Sequence, residues 1–236
     1  MIPIRDDNPA HRPPVFTIGL IAVNVLVFLF QATMSDEAGQ RFVWKYGFIP
    51  AKLTHDAERF ENELPNHAPP VQATDRRGRP VIDLMGRPIV VPQDIPVNAA
   101  TAMPAWVGMF TCMFLHGGWM HLIGNMLYLW IFGNNIEDRL GPVLFLVFYV
   151  GTGVVANLAH TFFEMSWIPL VGASGAISGV MGGYVMLFPH ARILALMPMG
   201  YYWFTAKLPA WIFLLVYIVV QNLFPAYFAG GSSVAY

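Results

Sequence analysis

Long apolar runs separated by polar connectors dominate the pattern of this 236-residue chain. A helix needs about 20 mostly apolar residues to cross the hydrocarbon core of a bilayer. Five stretches reach or approach this length, and none of them contains Asp, Glu, Lys or Arg. They are residues 15–32, 119–135, 142–163, 170–188 and 208–228. The pattern therefore predicts five membrane-spanning helices.

The composition excludes several other classes of protein. Apolar residues make up 56% of the chain and charged residues only 11%, whereas a soluble domain carries roughly 25% charged residues. With a mean hydropathy of +0.52, an ordinary soluble enzyme, a disordered chain and a coiled coil are excluded. The net charge of −1 creates no basic field, so we expect no nucleic-acid partner. The single cysteine, Cys112, excludes an internal disulfide and a zinc site built from cysteines.

Basic residues in the short connectors predict the orientation, because cytoplasmic loops are enriched in Lys and Arg. The connectors expected on one side carry Arg5, Arg12, Arg139, Arg192 and Lys207. Residues 1–14 are therefore predicted to form a cytoplasmic tail. We expect a multi-pass integral membrane protein with a cytoplasmic N-terminus, located in a bacterial inner membrane.

The segment 33–105 is predicted to be a long external loop. Residues 41–60 have the pattern of short amphipathic helices at the membrane surface, with Trp44 and Tyr46 among the interfacial anchors. Frequent prolines over 65–104 argue against a helix there. Two β-branched runs flanking 83–86 are compatible with a small hairpin or with an extended linker. No chemistry is assigned to this loop.

Three neutral polar side chains cluster at the start of the second predicted span, in LHGGWMHLIGN. His121 and Asn125 are four residues apart and therefore share one helix face, whereas His116 precedes a Gly-Gly pair in the connecting turn. Hydrogen bonding between membrane helices is the simplest role for such residues. A zinc site is disfavoured, because the spacing is not that of HExxH and no third ligand is evident. We therefore predict no metal.

The second candidate is Ser174, within VGASGAISGVMGGY. Gly175, Gly179 and Gly183 recur every four residues, which lets another membrane helix approach closely. Ser174 is predicted to begin this helix, where unpaired backbone amides favour negative charge. A serine in that position is able to attack a carbonyl carbon while its own amide holds the resulting oxyanion.

Together these motifs resemble the rhomboid family of intramembrane serine proteases. HGGWMHLIGN, NIEDRLG, GASGAISGVMGGY and FPHARIL occur in the family order, and the resemblance extends over residues 15–236. It implies an all-α, polytopic membrane bundle with five of six spans present. A Ser–His dyad would lie in a water-filled cavity that opens outward. The implied partners are the lipid bilayer and transmembrane protein substrates, and no cofactor is implied.

The resemblance also assigns roles to individual residues. Ser174 matches the family nucleophile in GxSG. His121 and Asn125 match the side chains that assist the oxyanion hole, and His116 matches a further histidine near that hole. Family members often carry an aromatic residue four positions after the nucleophile, where this chain has Ser178.

The same resemblance assigns a structural role to Glu137 and Arg139, which match a structural loop motif of the family on the cytoplasmic side. No catalytic step is assigned to either residue.

The largest departure from the family concerns the general base. Family members place this histidine on a sixth span, whereas the last histidine here is His190. His160 is the only internal substitute, and packing is the simpler role for it. Because an unassisted serine hydroxyl is a poor nucleophile, we predict that these 236 residues alone are inactive or nearly so. A fragment of a longer protein is the expected explanation, and a naturally shortened noncatalytic relative is the alternative.

Two hypotheses about function follow. The leading one is a serine endopeptidase that cleaves membrane-spanning substrates, and the alternative is a noncatalytic membrane-helix binding protein on the same scaffold. A transporter or channel ranks third, because charged residues within the spans and a repeat of broken helices are both missing from the sequence.

Overall fold

A computed structural model describes residues 2–53, 71–72, 90–91, 103–163, 168–199 and 202–219. The helices are α1 (Val15–Ala32), α2 (Asp36–Tyr46), α3 (Ala105–Thr111), α4 (Trp119–Leu140), α5 (Pro142–Phe163), α6 (Ser174–Leu187) and α7 (Ala210–Tyr217). The strands are β1 (Ile2–Asp6), β2 (Val71–Gln72), β3 (Val90–Val91), β4 (Arg192–Met199) and β5 (Tyr202–Pro209). Short 3-10 turns cover Pro50–Leu53 and Cys112–Phe114.

The chain divides into two compact units. Unit one comprises Met1–Val23, Gly118–Thr152 and Ala176–Tyr236, and unit two comprises Asn24–Gly117 and Gly153–Gly175. Both units are assembled from segments that are distant in sequence. Each unit is therefore held together by long-range contacts.

Two helices are long and apolar enough to cross a membrane. They are α1 and α5, whose bounds coincide with the predicted spans 15–32 and 142–163. Only 22% of the apolar window of α1 and 17% of that of α5 are buried. A long helix that exposes most of its apolar side chains is suited to lipid rather than to water.

The other predicted spans differ from the observed helices at their ends. The helix α6 begins at Ser174, four residues after the predicted start at 170. The helix α7 is described from Ala210 to Tyr217, within the predicted 208–228, and residues 220–228 lie outside the described part. The helix α4 continues to Leu140, beyond the predicted end at 135. The motif containing Glu137 and Arg139 therefore lies on the last turns of α4 instead of in a connector.

The carboxylate of Glu137 caps the first turn of α1 within unit one. Glu137 is only 3% exposed, and its oxygens accept hydrogen bonds from Phe16 N at 2.8 Å, Thr17 N at 2.7 Å and Thr17 Oγ1 at 2.7 Å. The first amides of a helix have no partner inside the helix, and the helix dipole favours an anion there. A charged residue on α4 thus fixes the start of α1.

The N-terminal segment is bound along the same end of α4. Asn135 accepts a hydrogen bond from Asn8 Nδ2 at 2.9 Å and donates to Asp6 Oδ2 at 2.8 Å. The same Asp6 oxygen accepts a 2.7 Å hydrogen bond from the hydroxyl of Tyr184 on α6. These contacts hold β1 against the helices of unit one.

Asp138, which is half-buried on the last turn of α4, extends this attachment. It accepts hydrogen bonds from His11 N and Arg12 N, both at 3.0 Å. The His11 hydrogen bond, followed by that of Arg12, holds the pKa of Asp138 below its usual value of 3.8. A lowered pKa means that this contribution to stability is present above pH 3.8 and is lost as the pH falls through the pKa of the folded state.

A three-stranded antiparallel sheet corrects the expectation of an all-α fold. Its strand order is β1-β4-β5, and β4 and β5 pair over their whole length from Arg192↔Pro209 to Met199↔Tyr202. Ile193 and Ala195 are fully buried, which gives β4 one inward face. The sequence does not show the alternation of apolar and polar residues that would predict this strand, because outward positions such as Leu194 and Leu196 are apolar as well.

The external segment is described only in part. The helix α2 covers the beginning of the predicted amphipathic region 41–60, and Ser35 Oγ caps it by accepting a 3.4 Å hydrogen bond from Ala38 N. The short strands β2 and β3 pair through Val71↔Val91 and Gln72↔Val90. The hairpin predicted around 83–86 lies outside the described residues, as do residues 54–60.

The predicted close approach of helices along the glycine strip of α6 is confirmed. A Cβ atom placed on any of the three glycines would contact a side chain of α5 at less than normal spacing. The nearest atoms include Ala156 Cβ at 2.7 Å from Gly175, Thr152 Cγ2 at 2.6 Å from Gly179 and Phe148 Cζ at 3.0 Å from Gly183. Thr152 Oγ1 also donates a 3.3 Å hydrogen bond to the carbonyl of Ala176. The backbone of α6 therefore packs directly on α5 within each unit.

We predict that Glu137→Gln lowers the free energy of unfolding by about 1–3 kcal/mol, because a neutral amide with one oxygen leaves a buried donor of α1 unsatisfied. The measurement is an SDS titration of the purified full-length protein in mixed micelles. Asp138→Asn is the matched control, since Asp138 is only half-buried whereas Glu137 is buried, and it should cause a smaller loss. Equal losses in the two variants would contradict the role of Glu137 as the cap of α1.

We also predict that Gly179→Ala destabilises the protein by about 1–3 kcal/mol, the usual cost of overpacking. The added methyl group would overlap Thr152. Gly182→Ala is the matched control on the same helix, because no atom lies within 4 Å of the position of its Cβ. The same titration should show Gly182→Ala to be neutral or stabilising. If both variants behave alike, tight packing at Gly179 is refuted.

Candidate functional site

The connector before Ser174 is held in place by backbone hydrogen bonds within unit two. Leu170 N donates to Phe48 O at 2.7 Å, and Phe48 N donates to Leu170 O at 3.1 Å. Gly172 N donates to Cys112 O at 2.8 Å. Gly172 has a φ of +119°, a backbone region that favours glycine. These contacts fix the point at which the chain enters α6.

Ser174 is the first residue of α6, as the sequence predicted. Its side chain is half-buried, and the first turn of the helix contains no acidic residue. The first-turn amides have no partner inside the helix and carry a partial positive charge. The hydroxyl of Ser174 therefore lies beside donors that are able to stabilise a negative oxygen.

His116 lies in the turn that follows the Cys112–Phe114 segment, and it is 2% exposed. The side chain of Gln31, in the last turn of α1, holds its backbone. His116 N donates to Gln31 Oε1 at 3.2 Å, and Gln31 Nε2 lies 3.5 Å from His116 O. Sequence reasoning missed Gln31, although a single carboxamide at the end of an apolar span was an available signal.

His121 and Asn125 lie one turn apart on α4, within unit one. His121 is half-buried, and Asn125 is 8% exposed. Among the described residues, no acceptor forms a hydrogen bond with Asn125 Nδ2. A buried donor without an acceptor costs roughly 1–3 kcal/mol. This amide is therefore suited to an acceptor from another molecule, such as a carbonyl or an oxyanion.

The four predicted site residues fall into two pairs. Ser174 and His116 belong to unit two, whereas His121 and Asn125 belong to unit one. As predicted, Ser174 begins a helix, His121 and Asn125 lie one turn apart on α4, and His116 lies in the turn before α4.

Asn157 on α5 has a structural role, because its side chain joins α5 to the segment that contains Met109 and Cys112. Its Nδ2 donates to Met109 O at 3.0 Å and to Cys112 Sγ at 3.2 Å. Burial raises the pKa of the Cys112 thiol to about 11. Cys112 is therefore a neutral thiol near pH 7, which argues against a cysteine nucleophile.

Ser178 also has a partner that the sequence did not indicate. Its side chain is hydrogen-bonded to the hydroxyl of Tyr217 on α7. The Tyr217 ring lies 5.1 Å from the ring of Tyr128 on α4, measured between centroids. The aromatic side chain of Tyr217 thus reaches Ser178, four positions after Ser174, from another helix of unit one.

The remaining histidine of interest, His160, lies half-buried in the last turn of α5. It belongs to unit two, as Ser174 does.

Comparison with known proteins gives a consistent assignment. Residues 104–235 match the Rhomboid domain. The chain is 34% identical over 90 residues to the rhomboid homologue YdcA of Bacillus subtilis, which covers 38% of this chain and 45% of the relative. It is 38% identical over 90 residues to Rhomboid-like protein 11, chloroplastic, of Arabidopsis thaliana. This match covers 36% of this chain and 30% of the relative.

A third relative is the rhomboid protease GluP of Bacillus subtilis, 34% identical over 103 residues, which are 44% of this chain and 20% of that protein. The matched regions span less than half the length of each of these relatives. No solved structure matches the chain significantly. The Rhomboid domain match covers more than half of the 236 residues, and the family includes serine intramembrane proteases. The chain therefore belongs to the rhomboid family of helical integral membrane proteins.

Proposed function

We propose that this protein is an intramembrane serine endopeptidase that cleaves transmembrane protein substrates near the outer face of the membrane. The observation that carries the proposal is the buried Asn125 amide, whose Nδ2 has no acceptor among the described residues. An enzyme that stabilises an oxyanion needs such a donor, held ready before the reaction. In a helix that only packs against its neighbours, a buried donor without an acceptor would lower stability and bring no benefit.

In the proposed reaction, Ser174 Oγ attacks the carbonyl carbon of the scissile peptide bond. The new C–O bond forms as the carbonyl electron pair moves to oxygen, and the Ser174 proton passes to a general base. The Ser174 amide, His121 and Asn125 Nδ2 stabilise the oxyanion, with His116 nearby. Collapse expels the amine, which takes the proton from the base, and water then hydrolyses the acyl-enzyme.

Contacts within unit one support the proposal that the N-terminal segment, the end of α4 and the β4-β5 hairpin lie on the same side of the membrane. The N-terminal strand β1 and the hairpin β4-β5 form a single sheet, and the end of α4 caps the start of α1 through Glu137. This agrees with a tail, a turn and a hairpin that all face the cytoplasm of a bacterial cell. We accordingly propose five membrane spans within these residues, in a bacterial inner membrane with the N-terminus inside.

The proposal is tested in the protein as the cell makes it, with a model transmembrane substrate. Ser174→Ala should abolish cleavage and covalent labelling by a serine-reactive phosphonate. Asn125→Ala should lower kcat by roughly 100- to 1000-fold, the usual effect of removing one oxyanion donor. Asn157→Ala is the matched control, since Asn157 already has two partners, and kcat should stay close to that of the wild type.

Unchanged turnover in Asn125→Ala would remove Asn125 from the oxyanion hole. Labelling that persists in Ser174→Ala would refute the serine nucleophile. If the wild type binds membrane helices and neither cleaves them nor reacts with the phosphonate, the noncatalytic binding protein is the correct function.

A separate prediction concerns a polypeptide limited to residues 1–236. None of its seven histidines matches the general base of the family, and the loss of one triad member leaves only residual catalysis. We expect no measurable cleavage by this polypeptide when it is purified alone. Cleavage at the rate of the protein as the cell makes it would contradict the prediction and would direct attention to His160.

A further inference from the structure

The sheet of unit one places three cations on one face. In the observed register Arg5 on β1 is opposite Leu194 on β4, and Leu194 is opposite Lys207 on β5. Residues directly opposite each other project to the same side of a sheet. Arg192 lies two residues before Leu194 and therefore shares that side. Arg5, Arg192 and Lys207 thus form a cationic face.

The cationic face is exposed, and its charges are not neutralised by ion pairs. All three side chains are exposed to solvent, and within the described ranges none of them forms a salt bridge. Arg192 on β4 lies diagonally across from Arg5 on β1 and Lys207 on β5, within reach of these long side chains, so the like charges repel one another. The arrangement therefore favours the binding of an anion.

The two nearby carboxylates, Asp6 and Asp7, already accept hydrogen bonds from other groups. Asp6 Oδ2 accepts from Tyr184 and Asn135, and Asp7 Oδ1 accepts the backbone N–H of Arg192 at 2.7 Å. A cavity of about 250 Å³ opens among the three cations, and its lining is Arg5, Asp6, Asp7, Arg192, Leu194 and Lys207. Its positive side chains outnumber its carboxylates.

Trp203 extends the cationic face toward the far end of the hairpin, because it lies four residues before Lys207 on β5 and projects to the same side. Tyr202 and Phe204 project to the opposite side of the sheet. Tyr202 is 79% exposed, Trp203 59% and Phe204 41%. Tyrosine and tryptophan are typical of the interface between a membrane and water. The strand β5 ends at Pro209 and α7 begins at the next residue, Ala210. The sheet is therefore joined directly to an apolar helix of a membrane protein.

We propose that the cationic face binds the phosphate headgroups of anionic phospholipids in the adjacent membrane leaflet. Its charge complements the lipid phosphate, and the exposed side chain of Trp203 and the direct connection to α7 favour a lipid surface over free phosphate. Basic residues next to membrane helices bind anionic lipid through the same electrostatic attraction. This inference rests on membership of a membrane protein family and is independent of the proposed proteolysis.

The test uses the purified full-length protein in mixed micelles, with phosphatidylglycerol binding followed by native mass spectrometry. The triple variant Arg5→Gln/Arg192→Gln/Lys207→Gln should lose apparent affinity on the order of 100-fold, because each basic residue near the surface contributes roughly fivefold. A triple variant of α2 and the following turn, Arg41→Gln/Lys45→Gln/Lys52→Gln, removes as many charges from unit two and should bind like the wild type.

Two further measurements keep the result unambiguous. In nanodiscs of phosphatidylcholine alone, the variant of the cationic face should be at least as thermally stable as the wild type, because repulsion between its cations is gone. Adding equimolar phosphatidylglycerol should raise the Tm of the wild type and not that of the variant. The charge-conserving variant Arg5→Lys/Arg192→Lys should retain lipid binding.

Unchanged phosphatidylglycerol binding in the folded triple glutamine variant would overturn the proposal. Equal loss in the control variant of unit two would overturn it as well, because the effect would then depend on total charge only. If inorganic phosphate raises the Tm through the same three residues while phosphatidylglycerol does not bind, the surface is a free-phosphate site and the assignment to lipid is wrong.

Discussion

The buried carboxylate of Glu137 is the contact on which the arrangement of unit one depends. A membrane helix satisfies its own backbone except in its first and last turns, and unsatisfied groups there are costly away from water. Glu137 supplies two oxygens to the first turn of α1, so the start of α1 is fixed at the end of α4. The preceding segment then lies along α4, where Asp6 reaches Asn135 and Tyr184 and β1 meets β4.

The helix α6 combines packing and proposed chemistry in one element. Its glycines bring its backbone against α5, so that a Cβ atom at Gly175 would lie only 2.7 Å from Ala156. Gly175 directly follows Ser174, and the backbone of the connector before Ser174 is tied to Phe48 and Cys112. A helix end restrained on both sides holds a reactive group in one position, which preorganised catalysis requires.

Polar residues within the apolar helices fall into two kinds. Asn157, Thr152 and Gln31 have hydrogen-bond partners that join neighbouring segments within a unit. Asn125 is buried to a similar degree as many core residues, yet its Nδ2 has no acceptor within the described ranges. A satisfied amide stabilises the fold, whereas an unsatisfied one costs stability and is explained best by a ligand. This contrast separates the proposed oxyanion donor from residues of structural importance.

The sequence by itself determined α1 and α5, whose bounds agree with the predicted spans, and the order of its motifs indicated the rhomboid family. A helix forms hydrogen bonds within its own segment, so a local window of apolar residues is sufficient to predict it. Only the tertiary structure decided the partners of Glu137, the Gln31 contact with His116 and the sheet that replaced an expected connector. Glu137 and Thr17 are separated by 120 positions, and β1 pairs with a strand near the other end of the chain. Contacts over such separations leave no local period in the sequence, because each partner satisfies the other only after the helices have packed.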